Sequence, residues 1–186
     1  MECGGYDGET SSNTLPLEVK HGWSGVLIEP NPYYYTQLVG KNRNVTSLNA
    51  CISTAPRASL LHVPLRCPEY KQLGCGQQSF ISNTSRQDTI NIPCFTFSSI
   101  MDAFGLKSLD YFSLDVEGAE IAILRTIPFD KYPIKIMSIE YKHSPGGKEA
   151  ITELMTSHNY QLVKQLDTVD RRINLFVYDL IFVLKA

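Results

Sequence analysis

Short apolar runs, each closed by an acid or a proline and followed by a helix signal, recur along this chain and restrict its fold more than any other feature. GVLIEPNP ends at Glu29 and Pro30, LDYFSLD at Asp115, and IKIMSIE at Glu140. Runs this short and this apolar suit strands covered on both faces, the condition of a parallel sheet whose crossovers are helices. Helix signals stand between them. Pro16, tolerated in a first turn, predicts a short helix from Leu15 to His21. Asn31 and Pro32 read as N-cap and first residue of a helix over YYYTQLVG that Gly40 stops. Thr96 caps FSSIMDAFG, and AEIAILRTI is a short amphipathic helix. In GGKEAITELMTSHN, Ala150, Ile151, Leu154 and Met155 fall at helical spacing.

VTSLNACIS, with β-branched residues in alternation, reads as one further strand, and INIPCF as an extended segment. From Ala55 to Asp88 the rhythm fails, because Pro56, Pro64 and Pro68 interrupt it and GCGQQSFISNTSRQD is polar; an insertion or substrate loop is expected over 55–88. YQLVKQL and LFVYDLIFVLK lie close together and are expected to pair antiparallel. The predicted fold is α/β, a doubly wound, mostly parallel sheet to which the terminal hairpin adds one reversed strand. With 186 residues, 43% of them hydrophobic, the chain carries core enough for one domain over 1–186.

A formal net charge of −2 and the lack of any Lys/Arg run argue against a nucleic-acid partner and for a small neutral or cationic ligand. The longest apolar run, within YDLIFVLK, suits a buried strand rather than a membrane span, and no charged-then-apolar leader is readable. Cys67 and Cys75 bracket CPEYKQLGC, a loop short enough to close as a disulfide in an oxidising compartment. NVT at Asn44 and NTS at Asn83 are glycosylation sequons pointing the same way. Chance triplets and free buried cysteines account for the same residues. No metal site is expected, since there is no CxxC pair and the four histidines are scattered.

In a doubly wound sheet, ligands bind beyond the carboxyl ends of the strands. Acids collect on that rim: Glu2 and Asp7 around the glycines of ECGGYDG, then Glu29, Asp115, Glu117 and Glu140. Glycines let a backbone approach a ligand closely, and Glu29 lies about twenty residues further on, where nucleotide folds place a carboxylate on ribose hydroxyls. Acids on both sides of GGYDG would repel a pyrophosphate and welcome a nucleoside bearing a sulfonium and an ammonium, which favours S-adenosylmethionine. In DVEGAE, Asp115 is placed to face the methionine part or the acceptor, and Gly118 permits a tight turn. Glu117 and Glu120 are equally explained as acids enriching a first helical turn. Glu140 and His143 end the next strand, where a base or substrate contact belongs, although a lone histidine is commonly a surface residue.

ECGGYDGETSSNTLPLE, GWSGVLIEPNP and LDYFSLDVEGAEIAIL, in this order, resemble blocks of the FkbM-type methyltransferase domain, from Glu2 almost to Ala186. The resemblance implies a seven-stranded, Rossmann-like, S-adenosylmethionine-dependent fold with its first strand truncated, since only Met1 to Cys3 precede the glycines. It implies Glu2, Gly4, Gly5, Asp7 and Gly8 for the methionine end, Glu29 with Asn31 for the ribose side, and Asp115, Glu117 and Glu140 for the reaction. The implied activity is methyl transfer to a hydroxyl of a small-molecule or glycan acceptor. SSNTL, EPNP and the cysteine-bearing insertion are similar to the animal Star proteins, which implies a noncatalytic alternative. That alternative is a factor of the endoplasmic reticulum, Golgi and endosome that assists growth-factor precursors and is membrane-anchored by a segment absent from this stretch.

Overall fold

The computed structural model describes residues 1–64, 89–170 and 175–185. Its main sheet contains β1 (Glu2–Cys3), β2 (Val26–Ile28), β3 (Thr46–Leu48), β7 (Leu109–Leu114), β8 (Ile134–Glu140), β9 (Tyr160–Asp170) and β10 (Leu175–Leu184), in the order β3-β2-β1-β7-β8-β10-β9. All neighbours are parallel except β10, which runs antiparallel to both β8 and β9. This is the expected doubly wound sheet with one reversed strand. From β1 the chain winds outward to β2 and β3, then returns to the other side through β7, so the order reverses at the β1–β7 junction. Such a junction opens the crevice in which open α/β sheets place their ligands.

Each expected helix is present, the first with the expected bounds and the last three shorter than their sequence signals. α1 spans Leu15–His21, and α2 spans Pro32–Gly40 with the Asn31 side chain accepting from the Tyr33 N–H at 3.0 Å. α3 (Phe97–Ala103) is capped by the Thr96 hydroxyl, which accepts from the Ser99 N–H at 3.1 Å. α4 (Glu120–Leu124) and α5 (Gly147–Ser157) complete the set. The core runs through β2, β7 and β8, where Ile28, Phe112, Leu114, Ile134, Met137 and Ile139 are sealed from solvent.

Two segments depart from the sequence reading. VTSLNACIS is divided between two sheets, its first part as β3 and Cys51–Ile52 as β4, because Asn49 between them turns its amide to the Glu29 and Pro30 carbonyls at 2.8 and 3.0 Å. Part of the expected 55–88 loop is strand β5 (Ser59–Pro64), which pairs antiparallel with β6 (Thr89–Phe95) in a three-stranded sheet ordered β4-β6-β5. Pro64 ends β5, and Pro93 within β6 does not stop the pairing. A disulfide joins Cys51 to Cys94, directly opposite one another across β4 and β6 with Cα atoms 4.4 Å apart. The Cys67/Cys75 pair and Asn83 lie outside the described residues.

Candidate active site

Register alone brings the acids together. Glu2 stands opposite Ser113, Cys3 opposite Leu114, and Leu114 opposite Ile139. The next residues of the same strands, Gly4, Asp115 and Glu140, therefore share one rim with Glu29, which follows Ile28 of β2. On that rim Gly4 has φ +90°, and a Cβ built on it would lie 1.8 Å from the Asp115 carbonyl oxygen. Only glycine meets both conditions, and its absent side chain lets β1 pass directly into its turn beside β7. The Gly4 and Gly5 N–H groups both donate to the Ile28 carbonyl at 3.0 Å. Gly8, at φ +86°, lies over Leu38 of α2.

Glu29 shapes this turn from below. Its two oxygens accept separately, one from the Tyr6 N–H at 2.8 Å and the other from the Asn31 N–H at 2.7 Å. Burial pushes its carboxyl up to about 7, against the pull of those two donors. Each oxygen keeps a further lone-pair direction for a hydroxyl. Tyr6 stacks its ring on Tyr34, with centroids 4.1 Å apart, closing the outer side of the turn.

Glu2 and Asp7 hold the protein's own chain. Buried Glu2 accepts from the Asn13 N–H at 2.9 Å, the Ser12 hydroxyl at 2.8 Å and the Thr14 hydroxyl. Asn13 reaches on to the Ser113 hydroxyl at 2.9 Å, and Asp179 of β10 accepts from Ser138 at 2.7 Å. Asp7 accepts from the Glu9 and Thr10 N–H groups and the Thr10 hydroxyl; although partial burial acts the other way, these donors hold its carboxyl below the usual range. Arg43 was not singled out by sequence patterning, yet its side chain, 4% exposed, ties the region together. It pairs with Glu18 at 2.5 Å and donates to the Gly8 carbonyl and to Ser12 at 3.3 Å.

The β7–β8 side of the rim is a cluster of carboxylates. One ligand atom each from Asp115, Glu120 and Glu140 lie within 4.8 Å of one another. Asp115 is open to solvent on one side and accepts no hydrogen bond among the described residues, yet its carboxyl is crowded by protein atoms. Burial of that carboxyl, then the charges of Glu117, Glu140, Asp179 and Glu120, hold it well above the usual carboxylate range. Glu140 is pushed up to about 7 by burial and by Glu120, although the Lys142 and His143 N–H groups donate to it at 2.8 and 3.4 Å. Glu117 sits at φ +59° before Gly118 at φ +105°, a reversal that turns its carboxylate onto His143 Nδ1 at 2.8 Å.

Glu120 is more than a first-turn acid. It is sealed from solvent, and Oε1 accepts from the Val116 and Gly118 N–H groups, both at 3.0 Å. Burial raises its carboxyl. A sequence signal existed: Glu120 precedes Ile123 and Leu124 by three and four residues, the buried stripe of α4. The opposite edge of the sheet differs in kind. There a cavity of about 220 Å³ between the amino ends of β1 and β7 is lined by Met1, Trp23 and Tyr111 among others, away from the acids.

A glycine turn pressed against the next strand, an acid beneath it and a carboxylate cluster alongside suit a nucleoside carrying positive charge. Comparison with curated proteins and with solved structures gives no match. A family model for the methyltransferase FkbM domain, however, matches residues 2–162, a span that includes the glycine turn, Glu29, Asp115, Glu120 and Glu140, and the chain belongs to the FkbM methyltransferase family.

Proposed function

We propose that this domain binds S-adenosylmethionine on the rim and transfers its methyl group to a hydroxyl oxygen of a small-molecule or glycan acceptor. The observation that carries the reading is the Gly4 turn, held against Asp115 with Glu29 at its base. The residues fit the cofactor. Glu29 has lone pairs left for ribose hydroxyls, the Gly4–Gly5 backbone leaves room at the strand end, and Asp115, Glu117 and Glu140 supply negative potential for a sulfonium and an ammonium. Asn31 is occupied in capping α2 and in donating to Glu29, so it supports the ribose side through Glu29. When bound, the cofactor supplies an electrophilic methyl group, and the protein's part is orientation and proton removal. Asp115 is best placed to accept the acceptor proton, being open to solvent and, among the described residues, accepting no hydrogen bond. Burial and the neighbouring carboxylates raise its affinity for a proton, the direction a general base requires. Isothermal titration with S-adenosylmethionine should give saturable heat, and none at millimolar cofactor would sink the reading.

A second reading draws on the disulfide. Cys51–Cys94 closes between two strands, and the sequon at Asn44 lies on an exposed turn with Thr46 exposed beside it. Both features belong to chains that mature in an oxidising lumen. They favour the Star-like alternative, a secretory-pathway factor acting on growth-factor precursor cargo between endoplasmic reticulum and Golgi, with or without retained cofactor binding. Mass spectrometry of protein from native cells tests it. An oxidised Cys51–Cys94 pair and an occupied Asn44 support a lumenal site, whereas reduced, unglycosylated protein counts against it.

A further inference from the structure

We propose that Asp115, Glu120 and Glu140 bind a hard divalent cation at the carboxyl ends of β7 and β8. Their ligand atoms lie within 4.8 Å of one another. Oxygens on opposite sides of a magnesium or calcium ion stand about 4–5 Å apart, so the three span one coordination sphere. An acidic cluster on a surface would mean little, but this one contains an oxygen that water does not reach. Glu120 Oε2 is sealed from solvent and makes no hydrogen bond of good geometry among the described residues, while Oε1 is fixed by two backbone N–H groups. The Ser144 hydroxyl, in the loop after β8, is likewise buried and lies close enough to Glu120 to favour its charged form, but forms no hydrogen bond of good geometry among the described residues. A buried carboxylate with an oxygen within 4.8 Å of two further carboxylates is costly when ionised unless a positive charge stands among them. His143 Nδ1 lies outside the cluster, 2.8 Å from Glu117 and 3.5 Å from Glu140.

Three carboxylates without thiolate or imidazole in the cluster select an oxygen-preferring ion, such as magnesium, manganese or calcium, over zinc or copper. Water would complete its sphere on the open side, where Asp115 is exposed. An acceptor hydroxyl entering there would ligate the ion and lose its proton more readily, while the displaced proton passes to a carboxylate or to solvent. That catalytic role rests on the methyl-transfer reading above; the binding of the ion does not.

Manganese titration, followed by the spin-resonance signal of the free ion and carried out without S-adenosylmethionine, separates the two. The whole domain should show one saturable site with a Kd on the order of 10⁻³ M or tighter. Asp115→Asn, an exposed change that leaves the core untouched, should weaken it by roughly tenfold or more. Glu140→Gln should do the same with an unchanged circular dichroism spectrum. Glu9→Gln, an acid paired with Lys41 away from the cluster, should bind like the parent. Absence of a saturable site at millimolar manganese, or parental affinity in both Asp115→Asn and Glu140→Gln, overturns the proposal and means that the acids share protons instead. Heat from S-adenosylmethionine measured without metal reports on the cofactor reading alone.

Discussion

Replacing Gly4 with alanine tests whether the approach of β1 to β7 is as tight as the site requires. The new Cβ would sit 1.8 Å from the Asp115 carbonyl oxygen, well inside the 3.0 Å below which real Cβ contacts essentially never occur. The obstacle is backbone, and it has little freedom: the Asp115 N–H donates to the Cys3 carbonyl at 3.0 Å and the Gly4 N–H to Ile28 at 3.0 Å. Relief must therefore come from parting the strands. An L side chain at φ +90° costs about 1–2 kcal/mol by itself, and forced overpacking adds about 1–3 kcal/mol. The sum, about 2–5 kcal/mol, is a large part of the roughly 5–15 kcal/mol that stabilises a domain. Gly22, the left-handed cap of α1 at φ +67°, is the control, because a Cβ there meets nothing within 4 Å. Urea unfolding of both variants separates the two costs. Gly22→Ala should lose about 1–2 kcal/mol, and Gly4→Ala about 2 kcal/mol more than that, with the m-value unchanged. If the two losses agree to within about 0.5 kcal/mol, the strands are not in the contact described and the argument fails.

Other perturbations address the remaining supports of the site. Because Glu29 binds its proton more tightly in the folded state, its contribution is complete below about pH 4.5 and is lost as pH rises through about 7. Urea midpoints should show that loss, about 3 kcal/mol between pH 4.5 and 8, and Glu29→Gln should remove it. Arg43→Met leaves the half-buried Glu18 carboxylate with the Asn44 N–H but no cation and should cost about 3 kcal/mol, with Glu18→Gln in the same chain restoring part of it in a double-mutant cycle. Cys51→Ser with Cys94→Ser opens a loop of 43-residue separation and should cost about 4 kcal/mol, seen as a lower Tm only under non-reducing conditions. Asp115→Asn should lower kcat by roughly 10²-fold or more while the heat of S-adenosylmethionine binding persists, which single-turnover assays and titration together decide.

The fold was legible where one local signal governs one element. Asn31 followed by Pro32 can start a helix and do little else, and α2 begins there with the Asn31 side chain on the Tyr33 N–H. IKIMSIE, apolar and bounded, could hardly be other than a buried strand, and β8 matches it residue for residue. VTSLNACIS failed because its division depends on Asn49 finding carbonyls at the end of β2, a contact about twenty residues distant in sequence that no local preference records. β5 failed for a related reason. Its pairing with β6 is non-local, and Pro64 stands at the end of the strand without excluding the residues before it from pairing. The Cys51–Cys94 bridge was beyond pattern reading altogether, since five cysteines allow many pairings and only the register of β4 against β6 selects this one.

Acids at strand ends were readable one by one, but their work is set by where each side chain turns. Asp7 and Glu2 have the same charge as Asp115 and sit within a few residues of the same glycines, yet both are saturated by donors from their own loops. Asp115 has no such donor among the described residues, because the neighbouring Val116 and Gly118 N–H groups are taken by Glu120. Glu120 thereby does two things: it keeps the DVEGAE turn closed, and it leaves Asp115 free to face solvent. A substitution that preserves charge but shortens the reach, Glu120→Asp, should release those N–H groups toward Asp115. The carboxyl of Asp115 would then fall toward the ordinary range, since backbone donors stabilise its charged form. A lower apparent pKa in the acidic limb of the pH–rate profile, with S-adenosylmethionine affinity held, is the expected signature, and an unmoved limb would show that Glu120 does not govern the proton affinity of the rim.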